Sequence, residues 1–149
     1  MLRDDLPVIG IRDHFDGEGA DQAKVFLLNL MADGAVTTPG GAKNVGDGFA
    51  VPAGVTRLGF IGQTFPKHPS QGIDWDLYVI AVEPQEAFLA QWSHKNVCAE
   101  RQHILRLRGT GEFLVVIVPR VKGAPAPEVT VTAEKGGATV TAGGVTARF

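Results

Sequence analysis

The sequence predicts an all-β fold: one antiparallel β-sandwich with Gly/Pro-rich turns and at most one short helix. Three observations lead there. Apolar or alternating runs of strand length recur at short spacing along the 149 residues. No segment sustains the three-to-four-residue period of an amphipathic helix. The 19 glycines and nine prolines are spread along the chain as turn punctuation rather than gathered in one tract. The length suits a single domain, 1–149, with a core large enough to need no metal or disulfide.

The elements follow in order. PVIGIRD (7–13) is a short strand ending at the polar turn HFDGEG. VFLLNLM (25–31) is an apolar run closed by Ala-Asp-Gly, and the Gly- and Pro-rich stretch that follows favours a strand over a helix. That stretch, GAVTTPGGAKNVGDG, is a loop or a pair of weak edge strands. TRLGFIGQT (56–64) and DLYVIAV (76–82) are strands joined by the Pro-rich connector FPKHPSQG. PQEAFLAQW (84–92) is open between strand and helix, because Pro84 fits the first turn of a helix. The C-terminal EVTVTA and ATVTA alternate strictly about a Lys135-Gly136 turn. Ala133 is then opposite Ala138, Val131 opposite Val140 and Val129 opposite Ala142, with the threonines on the other face. Gly143-Gly144 turns the chain again into VTARF, completing a meander that covers one side of a core.

Between these lies QHILRLRGTGEFLVVIVPR (102–120), read as a hairpin turning at Thr110-Gly111. In that register Leu107, Leu105 and His103 share an apolar face with Leu114, Val116 and Val118. Arg108 pairs with Phe113 and Arg106 with Val115 on the other. The guanidiniums then rise from stems laid over apolar neighbours. Two readings fit: the wet side of a sheet, or an anion-binding strip that Arg101 and Arg120 extend.

Composition excludes several function classes. A net charge of −2 lacks the basic excess of a generic nucleic-acid binder. No apolar run reaches the length of a membrane span. The expectation is a soluble chain without a signal peptide, its compartment open, since acids stand where an apolar leader would be. Cys98 is alone, so no internal disulfide is available. Neither His14, His68, His94 and His103 nor the cysteine has metal-ligand spacing, and no phosphate-cradling or nucleophile-elbow motif occurs. No cofactor is therefore expected. The acids Asp13, Asp16, Glu18, Asp74, Asp76, Glu83, Glu86 and Glu100 are scattered, and any convergence among them is invisible in the sequence. Trp75 and Trp92 offer ring faces to a sugar or pack a sheet edge. Tyr78, the only tyrosine, sits in an apolar strand and reads as core.

Taken together, LRDDLPVIGIRDHFDG, KVFLLNLMADGAV, AQWSHKNVCAERQHILRLRG and FLVVIVPRVKG resemble the C-terminal β-sandwich region of heparinase II/III-like polysaccharide lyases. The matching features are Arg12-Asp13 before a turn, Met31 to Gly34, and Val115 to Arg120 closing a strand in Pro and a basic residue. Such lyases join an (α/α) toroid to antiparallel sheet layers, and a uronic acid lies in the groove between them. The toroid supplies most of the catalytic groups in that family and has no counterpart here. The resemblance therefore implies no catalytic residue in this chain, and implies a fragment or a separately encoded C-terminal part.

The function expected is a noncatalytic domain supporting or contacting an acidic polysaccharide through Arg106, Arg108, Arg120, Trp75 and Trp92. Its partners would be that polymer and a helical toroid on another chain, with homo-oligomers through sheet edges and neither nucleic acid nor membrane. The alternatives are an active lyase on uronic-acid polymers, with His68 or His94 in its site, and a free-standing carbohydrate-binding or interaction module.

Overall fold

The computed structural model describes residues 8–15, 18–19, 21–65, 72–94, 100–134 and 136–149. They form β1 (Ile9–Asp13), β2 (Lys24–Thr38), β3 (Gly41–Lys43), β4 (Gly48–Val51), β5 (Gly54–Gly62), β6 (Ile73–Ala81), β7 (Gln85–Ser93), β8 (Arg101–Gly109), β9 (Phe113–Val121), β10 (Val129–Glu134), β11 (Gly137–Ala142) and β12 (Val145–Arg148). All pairings among them are antiparallel, and no described residue is helical. The 84–92 segment, open in the sequence, is the strand β7.

One sheet runs β1-β9-β6-β5-β2-β8-β7-β4, with β3 added to β2, and it folds over at β2. The first half of β2 pairs with β8, from Lys24↔Gly109 to Met31↔Gln102. The second half pairs with β5. Between these halves, Asp33 to Thr37 takes four steps along β2 against two along β5, from Ile61 to Gly59, which is a β-bulge. Gly34 adopts φ +73° there, a conformation that favours glycine. Asp33 accepts the Gly34 N–H at 2.9 Å and receives Arg101 Nη1 at 3.0 and 2.9 Å. Ala-Asp-Gly, expected to close the strand, thus bends it from one layer into the next.

The first layer is β1, β9, β6, β5 and the second half of β2; the second layer is the first half of β2 with β8, β7 and β4. Their facing side chains make the main core, from Leu58, Phe60, Leu77, Val79, Val115 and Ile117 on one side to Phe26, Leu30, Leu89, Leu105 and Leu107 on the other. Phe26 stacks on Phe113 with centroids 5.9 Å apart, and Phe60 meets the edge of His103 at 6.3 Å, each contact spanning the layers.

The expected 102–120 hairpin does not form. β8 pairs with β2 and β7, and β9 with β1 and β6, so the Thr110-Gly111 turn carries the chain from the second layer to the first. Arg106 therefore lies between Leu27 and Phe88, and Arg108 between Val25 and Glu86, instead of beside Val115 and Phe113. The physical reason is burial. Every residue from Phe113 to Val118 is buried, so β9 needs cover on both faces, whereas β8 has a wet side.

β10, β11 and β12 form a separate sheet with the expected register, Ala133↔Ala138, Val131↔Val140 and Val129↔Ala142. Its Ala138, Val140, Ala142 and Ala147 pack on Tyr78, Ile80, Leu114, Val116 and Val118, the outer face of the first layer. The meander is thus the second cover that β6 and β9 require.

Two tests follow. A Cβ on Gly62 would sit 1.9 Å from the Ile73 carbonyl oxygen, a backbone atom that cannot step aside. Gly62→Ala is expected to destabilise the fold by about 3 kcal/mol in urea titrations, as overpacking does. His103 is 2% exposed, and its Nδ1 has no hydrogen-bond partner among the described residues. Burial lowers its pKa, against the opposing pull of Asp33. A depressed histidine pKa means that its neutral form is the folded form. The associated stability is complete above the unfolded value of about 6.5 and declines as pH falls through the lower folded value. The urea midpoint should fall as pH drops from about 6.5 toward 5, and His103→Leu should flatten that decline.

Candidate functional site

The outer face of the second layer has no cover among the described residues. Period-two geometry places every second residue of its strands there. The registers align Val25, Arg108, Glu86 and Ala50 in one row, then Leu27, Arg106, Phe88 and Gly48, then Asn29, Ile104 and Ala90, and last Met31, Gln102 and Trp92. Leu27 is 59% exposed, Val25 55%, Trp92 44% and Phe88 41%. Exposed apolar side chains are thus contiguous with two cations across these rows.

Arg106 lies with Cζ 5.9 Å from the Phe88 ring centroid, a cation–π distance, and has no ion pair among the described residues. Arg108 faces Glu86 at 3.6 Å, both strongly exposed, so the pair is weak and water-screened. A depression of about 520 Å³ opens between Val25, Gly48, Phe88, Arg106 and Arg108. Further along β7, Trp92 stacks on His94 with centroids 5.3 Å apart and planes at 24°. The surface can hold ring faces and carboxylates together: flat apolar groups for the first, guanidinium donors for the second.

Arg106, Arg108 and Trp92 thus share one face. The other two expected contact residues lie elsewhere. Trp75 is half-buried against the main core and donates its Nε1–H to the Met31 carbonyl at 3.3 Å. Arg120, on the outer face of the first layer, donates Nε to Asp76 Oδ2 at 3.1 Å, and Nη1 to Asp74 Oδ2 at 2.8 Å and to the Ala124 carbonyl at 2.6 Å. His68 lies outside the described residues. Phe88 and Leu27 were missed by the sequence reading; EAFLAQW taken as a strand puts Glu86, Phe88, Ala90 and Trp92 on one face.

Two of the scattered acids do converge. Asp76 is 2% exposed and also accepts Arg57 Nε and Nη2 at 3.2 and 2.7 Å. Asp74, 5% exposed, accepts the Gly62 and Gly123 N–H groups at 2.9 and 3.0 Å. Burial works to raise the Asp74 pKa, but those two N–H groups and the charges of Arg120 and Lys122 outweigh it and hold the pKa below the usual carboxylate value. Asp74 is therefore a fixed carboxylate, unsuited to passing a proton. Beside this ladder Tyr78 is buried in the second core, and burial raises its pKa despite Arg57. Among the described residues no three His, Cys, Asp or Glu side chains gather as metal ligands would.

Comparison with family models, with curated proteins and with solved structures found no match to the chain.

The ladder makes its own prediction. Asp74→Asn keeps the shape but removes the charge that Arg120 and two backbone donors require. It should lower stability at neutral pH by about 2–4 kcal/mol. A depressed carboxylate pKa contributes stability above the unfolded value of about 3.9, and that contribution is lost as pH falls through the folded value. The gap between variant and parent in urea midpoint should accordingly close in acid.

Proposed function

We propose that this chain is a noncatalytic β-sandwich domain, similar to the C-terminal part of a heparinase II/III-like polysaccharide lyase, that contacts an acidic polysaccharide across the uncovered face of its second layer. What supports the reading is one juxtaposition: Arg106 and Arg108 stand beside the exposed ring of Phe88 and the exposed side chains of Leu27 and Val25, with Arg106 free of any carboxylate among the described residues. An acidic sugar presents apolar C–H faces and carboxylates in alternation, and this face answers both. Trp92 lies on the same side of β7 as Phe88, roughly 13 Å along the strand, so an extended polymer meets two aromatic positions.

Affinity electrophoresis in gels containing heparin, alginate or polygalacturonate is expected to retard the protein, with dextran giving no retardation. Replacing Phe88 and Arg106 together by alanine should weaken binding about tenfold or more, equivalent to ~1.4 kcal/mol, with unchanged thermal stability. Equal retardation of parent and double variant would remove this face from the reading. Growth of ultraviolet absorbance from unsaturated products in the same mixtures would replace a binding domain with an active lyase.

A further inference from the structure

We infer that a second, separate site lies on the outer face of the first layer and binds a small organic carboxylate. A cavity of about 320 Å³ opens there between the β2–β3 turn and the Arg57–Asp76–Arg120 ladder. That volume is at the lower end of the roughly 300–1,000 Å³ typical of small-molecule sites.

Its chemistry is one-sided. Asp76 already receives three N–H bonds, two from Arg57 and one from Arg120. Arg57 Nη1 and Arg120 Nη2 have no protein partner among the described residues, and neither is a buried orphan. The charged part of the wall thus offers an incoming group N–H donors, with the Thr37 and Thr38 hydroxyls beside them. Arg57 and Arg120 are matched in number by Asp76 and by Asp74, which pairs Arg120 at 2.8 Å, so the site would draw a ligand by its donor edges rather than by net charge. Both guanidiniums are held by the shared, buried Asp76 on adjacent strands, so their orientation is set before a ligand arrives. A planar carboxylate matches such donor edges. Pro39 and Ile61 are among the other residues that line the cavity, Ile61 being 49% exposed, and supply apolar surface for the body of the acid.

Gly59 provides the control that separates binding from folding. A Cβ there would lie 3.5 Å from Thr37 Cβ and 3.8 Å from Asp76 Oδ1, ordinary contacts, at a strand position with unstrained backbone. A side chain at 59 would project into the lining of the cavity, beside the ladder.

The probe is benzoate, with uncharged benzamide as control, titrated into the full chain up to about 20 mM at constant ionic strength and followed by amide NMR. Benzoate is expected to shift amides of β2, β5 and β9 near the cavity in a saturable way. Benzamide should not. Gly59→Val and Arg57→Ala should each weaken benzoate binding at least about tenfold while the fold persists. The Phe88 and Arg106 double variant should bind benzoate normally, so failure here and failure of the polysaccharide reading are distinguishable. Absence of saturable shifts, equal binding of benzamide, or full benzoate binding by Gly59→Val would each overturn the inference.

Discussion

The architecture rests on one constraint: β6 and β9 are apolar on both faces and must be covered on both. From Asp76 to Ala81 and from Phe113 to Val118 every residue is buried, whichever way its side chain points. Such strands belong in the middle of a sheet packed between two others. The main core answers for one face and the small side chains of the meander for the other, Ala138, Ala142 and Ala147 letting the two sheets approach closely. The second cover stops short of the start of β6 and the end of β9. There Asp74, Asp76 and Arg120 stand in place of apolar residues, and charge pairing takes over from packing. The ladder and the cavity beside it mark the margin of the meander's cover.

The second layer has a different requirement. Its strands alternate, so one face is satisfied by the main core and the other is left to water or a partner. What joins the two regimes is β2, which is long enough to serve both layers because its bulge at Asp33-Gly34 turns it between them. The Asp33–Arg101 pair ties that bend to the first residue of β8. The exposed arginines and rings are therefore carried by strands whose inner faces are anchored in core, and this fixes the rows in which they stand.

How much of this the sequence disclosed depended on whether a local pattern had one structural solution. The meander was legible to the residue, because strict alternation about a short glycine turn leaves a single register that keeps Val129, Val131 and Val140 on one side. The 102–120 segment was not, because a glycine turn between two strands serves a hairpin and a crossing between layers equally well. The decisive signal was the contrast in burial demand: β8 carries Gln102, Arg106 and Arg108 on one face, with Ile104 among them, and β9 has no polar side chain before Arg120. In the same way Ala-Asp-Gly reads as a turn and acts as a bulge. Arg106 and Arg108 were correctly placed on one face, since parity survives an error in pairing. Their neighbours Leu27 and Phe88 were missed, since neighbours do not. The Asp76 clamp was out of reach, its partners Arg57 and Arg120 lying 19 and 44 positions away along the chain.

The two surfaces differ in how their guanidiniums are prepared, and that difference decides what each can hold. Arg106 and Arg108 are exposed, and neither is tied to a buried carboxylate, so ordering them on a ligand consumes side-chain entropy at each contact. Such a surface gains affinity by repetition, from a polymer that offers many acids and tolerates several registers. Arg57 and Arg120 have surrendered that freedom to Asp76 during folding, and little remains to be lost on binding. A clamp of this kind suits one small acid in one orientation. The same residue type, placed on the uncovered side of a singly buried strand or at the margin of a doubly buried one, thus becomes an adaptable strip or a fixed pair, and burial of the strand beneath is what separates them.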